Sequence, residues 1–170
     1  IRELGVDSEI VMPSETLKKM QQKKPKGLIL SGGPASVYDE DSPTIDPKIF
    51  ELGIPILGIC YGQQLMCRIL GGEVKGGFKK EYGPVELTIK KKSDLLVGIP
   101  SGIIVWMSHG DEVVRIPKDF QTIATTKTIL HAVAENKNKK IYGIQFHPEV
   151  VHTEFGTEVL ENFIKICGLN

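Results

Sequence analysis

The sequence lacks the features that mark several large classes of protein. No apolar run approaches the roughly 18 residues that a membrane-spanning helix needs, and no charged-then-apolar leader precedes a cleavage site. Neither sign of charge is in excess, since Lys+Arg and Asp+Glu both total 21. That balance removes the positive field on which nonspecific binding to nucleic acid or acidic membranes rests. Cysteine is scarce: there are three, at 60, 67 and 167, irregularly spaced and without a C-x-x-C pair. Such a set predicts neither a disulfide framework nor a metal site, and reduced thiols fit a cytoplasmic protein. There is no internal repeat, heptad series or low-complexity segment.

What remains is an ordinary globular composition. Hydrophobic residues make up 41% of the 170, charged residues 25%, and no linker-like run divides the chain, so one domain over 1–170 is expected. The opening Ile1 to Gly5 reads as the last turn of a helix closed by glycine, which suggests that something precedes it. Val6 to Met12 reads as a short strand, followed by an amphipathic helix that begins near Pro13-Ser14 and turns Leu17 and Met20 inward. Apolar runs at 27–30 and 54–59 flank a second helical stretch around 47–52. Continuous apolar strands are typical of a parallel sheet covered on both faces by crossover helices.

After a helix over 61–70 the texture changes. Short strand-like runs at 85–89, 103–106, 121–126 and 131–134, a setting that includes His131, predict antiparallel additions. A last strand over 141–146 and an amphipathic helix over 158–167 close the chain. The expected fold is therefore α/β: an open, mostly parallel twisted sheet flanked by helices, with small antiparallel additions. Lys90 to Lys92 and Lys137 to Lys140 read as solvated turns.

Three motifs carry chemistry. Gly58-Ile59-Cys60-Tyr61-Gly62 joins a strand to a helix, and a G-x-nucleophile-x-G sequence makes a sharp elbow with no bulk beside the nucleophile. A cysteine there faces a helix N-terminus, whose free N–H groups and dipole favour the thiolate. Gln145-Phe146-His147-Pro148-Glu149 ends the last strand, and residues two apart in extended chain share a face, so Glu149 can orient the His147 ring. Active sites of open α/β sheets gather at the carboxyl ends of strands, and a Cys-His-Glu triad follows. Ser31-Gly32-Gly33-Pro34, also at a strand end, offers uncovered N–H groups to a developing oxyanion. The same turn has a second reading, as the pyrophosphate loop of ATP pyrophosphatases, although Ala35 stands where that loop usually carries Asp. Cys67 and Cys167 read as packing thiols, and His152 as structural or as a partner contact.

With these residues in this order, the chain resembles class I glutamine amidotransferase domains, a flavodoxin-like family. The GMP synthetase branch is the most similar, on Glu81-Tyr82-Gly83, the run from Trp106 to Asp111, His152-Thr153 after H-P-E-V, and Gly156. The resemblance implies Cys60 as nucleophile, His147 as general acid/base and Glu149 as its orienting partner. It further implies an oxyanion hole from the Gly33 and Tyr61 amides, and substrate glutamine held by Gly33, Gln64 and the backbone of Ser108 and His109. No cofactor is implied for this domain. ATP and magnesium are expected on an ATP-pyrophosphatase partner, a domain not found within 1–170, which would meet the loops at 106–112 and 150–156. The family's first strand and most of its first helix would precede Ile1. Anthranilate and carbamoyl-phosphate amidotransferases, other cysteine-elbow hydrolases and an inactive binding module are the alternative readings.

Overall fold

The computed structural model describes residues 1–169, and side chains throughout except at 77–80. Its helices are α1 (Thr16–Lys23), α2 (Tyr61–Ile69) and α3 (Gly156–Ile166). Its strands are β1 (Leu28–Leu30), β2 (Ile56–Ile59), β3 (Glu73–Ile89), β4 (Ile103–Arg115), β5 (Gln121–Thr125), β6 (Val133–Asn136) and β7 (Ile141–Ile144). Among the described residues they form one sheet in the order β1-β2-β7-β6-β5-β3-β4. β1, β2 and β7 pair in parallel, and every later neighbour is antiparallel. The expected α/β sheet with antiparallel additions is thus found, and the antiparallel part is the larger.

The apolar runs of the parallel strands are buried on both faces for the reason their composition suggested. Side chains alternate across a strand, so Leu57, Ile59, Tyr142 and Ile144 join the core beneath α3, where Val159 and Phe163 lie. Ile56 and Ile141 face the other way, into the core formed with Met20 of α1, Phe50 and Leu65 and Met66 of α2. On that second face the intervening strand positions are Gly58 and Gly143, and both are needed. A Cβ at Gly58 would stand 2.7 Å from the Gly62 carbonyl oxygen, and one at Gly143 2.7 Å from Gln63 Cγ. At the helix side of the contact, a Cβ on Gly62 would overlap the Leu30 carbonyl oxygen outright. α2 therefore lies against the sheet with backbone nearly touching backbone.

Several expected elements are moved or removed. Val6 to Met12 forms no strand: its alternation leaves Ile10 97% and Met12 65% exposed, and a local pattern does not supply a ladder partner. Residues 47–51 form a 3₁₀ turn capped by the Asp46 carboxylate, which accepts from the Lys48 N–H at 2.9 Å. The runs at 85–89 and 103–106 are parts of the far longer β3 and β4, whose remaining residues are too polar and glycine-rich to show a period. β6 begins two residues later than expected because its register is set by β7, Val133 opposite Ile144. His131 consequently falls in a turn, its Nδ1 2.7 Å from the Thr122 hydroxyl. Gly5 does close a short helical turn, with φ 77° and its N–H donating to the Arg2 carbonyl. Lys90 to Lys92 and Lys137 to Lys140 are exposed.

Gly62→Ala is expected to destabilise the fold by about 3 kcal/mol or more, since the clash is with backbone that cannot yield. Gly143→Ala meets side chains, Gln63 Cγ and the Met66 methyl, instead of backbone, and should cost clearly less. Denaturant midpoints of the two variants check the order, and equal losses would refute it.

Candidate active site

The order β1-β2-β7 places three strand ends side by side, and the three sequence motifs leave the sheet there. Ser31 to Pro34 follows β1, Cys60 follows β2, and His147 lies three residues beyond β7. The elbow has the sharp form its glycines allow. Cys60 has φ 52° and ψ −109°, a backbone region that costs a non-glycine residue on the order of 1–3 kcal/mol. Hydrogen bonds on both sides hold it: Cys60 N–H donates to the Ile144 carbonyl at 2.8 Å, and Gln64 N–H donates to the Cys60 carbonyl at 3.2 Å. Tyr61 is the first residue of α2, so its N–H has no acceptor within the helix and is left for another.

Gly32 shows how closely the parts converge. A Cβ built there would stand 3.0 Å from His147 Cε1 and 3.5 Å from Cys60 Cβ, so the glycine makes room for ring and thiol together. A Cβ at Gly33, by contrast, would meet open space, and the residue is exposed. The sulfur has two neighbours. As a thiol it donates to the Ser108 carbonyl at 3.6 Å; as a thiolate it has no proton to give, and the His147 ring becomes its partner.

His147 is pushed up from 6.5 to about 10, first by its hydrogen bond with Cys60 and next by that with Glu149; burial opposes both. Nδ1–H donates to Glu149 Oε1 at 2.7 Å. Burial is the largest single influence and works against the Glu149 charge, but the bond to His147, the residue's own backbone N–H and the charge of the ring together outweigh it, and the carboxyl lies below its ordinary value. The ring's backbone is fixed as well: His147 N–H donates to the Trp106 carbonyl at 3.0 Å, and the Thr153 hydroxyl donates to the His147 carbonyl at 2.6 Å. Thr153 also accepts the Trp106 N–H at 3.0 Å, tying the segment after the motif to β4. The other thiols differ in setting. Burial pushes Cys67 up to about 12 and Cys167 up to about 11, which leaves them protonated and inert at neutral pH.

Gln64 is only 3% exposed, and its amide donates to the Asp111 carbonyl at 2.8 Å and to Gln145 Oε1 at 3.2 Å. Ser108 is exposed beside the sulfur. His109 turns inward, its side chain 2% exposed, to meet Glu81. Gly32, Gln145, Thr153 and Glu81 were not assigned roles from sequence. Gly32 and Gln145 had a signal there, each adjoining or lying within a motif. Thr153 and Glu81 had none beyond the runs that carry the resemblance. Among the described residues no cluster of three or more His, Cys, Asp or Glu side chains could hold a metal ion. Among them, too, no helix is long and apolar enough to cross a membrane.

The folded protein holds the His147 proton more tightly than an unfolded chain does. This coupling therefore adds stability below about pH 6.5 and loses it as pH rises through about 10. Glu149 behaves oppositely, its contribution being present above 4.5 and lost as pH falls through its lowered value. In a ring-proton NMR titration the His147 midpoint is expected to fall in Glu149→Gln and to fall further in Cys60→Ala. A midpoint unmoved by the loss of the sulfur would contradict this geometry.

Residues 1–167 match the family model for glutamine amidotransferase class-I. The chain is 49% identical over 169 residues to a glutamine-hydrolysing GMP synthase of Caldicellulosiruptor saccharolyticus, covering 99% of this chain and 33% of the relative. With the corresponding Prochlorococcus marinus enzyme it shares 52% over 165 residues, covering 96% of this chain and 31% of that protein. The chain thus spans about a third of the length of the curated relatives it matches. The crystal structure of a protein described as a GMP synthase subunit, from Thermoplasma acidophilum, superposes with TM-score 0.83 at 34% identity, over 98% of this chain and 84% of that one. A glutamine amidotransferase of Thermotoga maritima shares the fold, with TM-score 0.62 at 22% identity, over 94% of this chain and 78% of that one. With residues 1–167 matched in sequence and 98% of its length in structure, the chain belongs to the class I glutamine amidotransferase family.

Proposed function

We propose that the chain hydrolyses L-glutamine to glutamate and ammonia at Cys60. The observation that carries this reading is the convergence of the His147 ring and Cys60 on Gly32, with the cysteine at a strained elbow and Glu149 on the ring's Nδ1. The Cys60 thiolate attacks the side-chain carboxamide carbon, and the carbonyl oxygen takes the negative charge. The Gly33 and Tyr61 amides receive that oxygen, each such donor lowering the barrier by roughly 3–4 kcal/mol. His147 then gives its proton to the departing nitrogen, the C–N bond breaks, and ammonia leaves a γ-glutamyl thioester. Water, deprotonated by His147, attacks the thioester carbon, and the C–S bond breaks to release glutamate. Gln64 and the backbone of Ser108 and His109 hold the substrate. No step calls on a metal or organic cofactor.

The ammonia is consumed by an ATP-pyrophosphatase partner that uses ATP and magnesium to aminate XMP to GMP. The support is the extent of the match to glutamine-hydrolysing GMP synthases, of which this chain spans a third. The partner meets the rim of the site through 106–112 and 150–156, where Val151 is 94% exposed and the Trp106 and His152 rings pack with centroids 4.8 Å apart. A cytoplasmic setting belongs to the same reading, because all three cysteines are free thiols.

Glutamate release from glutamine, measured with the synthetase partner present, is expected to fall by about 10⁴-fold or more in Cys60→Ala. Turnover that survives the substitution would overturn the assignment.

A further inference from the structure

The side chains of the buried cluster around Glu81 have no part in the reaction just described, yet the cluster reaches the site through two carbonyl groups. Glu81 lies on β3 and is 9% exposed. A carboxylate so placed is costly unless its oxygens are matched by donors. Oε1 accepts from the Thr126 hydroxyl at 3.2 Å and also from the Thr128 hydroxyl, both in the turn after β5. Oε2 lies 3.2 Å from His109 Nε2. The ring's other nitrogen donates, as Nδ1–H, to the Asp111 carbonyl at 3.0 Å. His109 is therefore gripped at both ends, and the β4 backbone on either side of it is held relative to β3 and the 126–128 turn.

That stretch of backbone is the one that touches the site. The Ser108 carbonyl receives the Cys60 thiol, and the Asp111 carbonyl receives the Gln64 amide at 2.8 Å. We propose that Glu81 and His109 form a positioning pair: by fixing residues 108–111 they set Gln64 and the Ser108 backbone to receive the amino acid part of the substrate. The inference rests on the glutaminase reading above. Neither residue touches the reacting atoms, so the pair acts on glutamine capture and leaves the nucleophile itself in place.

The test labels Cys60 in the intact chain with two electrophiles and follows adduct formation by mass spectrometry. Iodoacetamide needs no amino acid site; a chloroketone analogue of glutamine does. Glu81→Gln keeps the shape and one acceptor oxygen but removes the charge. It is expected to slow labelling by the analogue about tenfold, the scale of a small misplacement, while iodoacetamide reacts within about twofold of the native rate. Glu81→Asp should recover part of the loss, and Thr128→Val, which removes one donor to Glu81, should repeat it in milder form. Native rates with both reagents in Glu81→Gln would overturn the proposal. So would equal losses with both reagents together with a lowered melting temperature, which would mark the cluster as structural alone. If the native chain itself showed no preference for the analogue at Cys60, the glutaminase reading would fall, and this inference with it.

Discussion

The site depends on how closely α2 can approach the ends of β1 and β2. An ordinary helix packs on a sheet through its side chains, but here Gly62 sets the helix backbone against the Leu30 carbonyl, and Gly58 and Gly143 leave the sheet surface bare beneath it. Starting a helix at so short a distance from a strand leaves no room for a gradual turn, and the chain makes the change of direction within Cys60, at φ 52°. The strained residue is thereby also the one raised to the rim, with the first N–H groups of α2 beside it. Packing and chemistry are in this sense one feature: the contact that stabilises the layer also sets the sulfur.

β4 is the second organising element, although it carries none of Cys60, His147 and Glu149. Three of its carbonyl groups hold three parts of the site: Trp106 takes the His147 N–H, Ser108 takes the Cys60 thiol, and Asp111 takes the Gln64 amide. A strand far from the parallel unit in sheet order thus folds over its carboxyl edge and ties it together. The Glu81 cluster on β3 anchors β4 in turn, so the antiparallel part of the molecule supports a site whose principal side chains belong to the parallel part.

The parallel unit was legible in the sequence because its determinants are local. Ile56 to Ile59 and Ile141 to Ile144 are apolar at nearly every position, and Gly-x-Cys-x-Gly states its own turn. The nearness of Cys60, His147 and Glu149 was legible for the same reason, since His147 and Glu149 are two residues apart and both motifs end strands. β3 and β4 were largely missed because their stability comes from each other, across a register with two irregularities, and not from any apolar period along either strand. Val6 to Met12 shows the converse error, an alternation without a neighbour to pair with. Glu81 could not be given a function by local reasoning, as its partners lie 28, 45 and 47 residues away.

The most direct measurement is a crystal structure of the chain with Cys60 alkylated by a ketone analogue of glutamine. The ketone oxygen is expected within about 3 Å of both the Gly33 and the Tyr61 amide nitrogens, with the His147 ring against the sulfur. An oxygen turned to solvent, with those amides satisfied elsewhere, would contradict the convergence of the three strand ends on one carbonyl group.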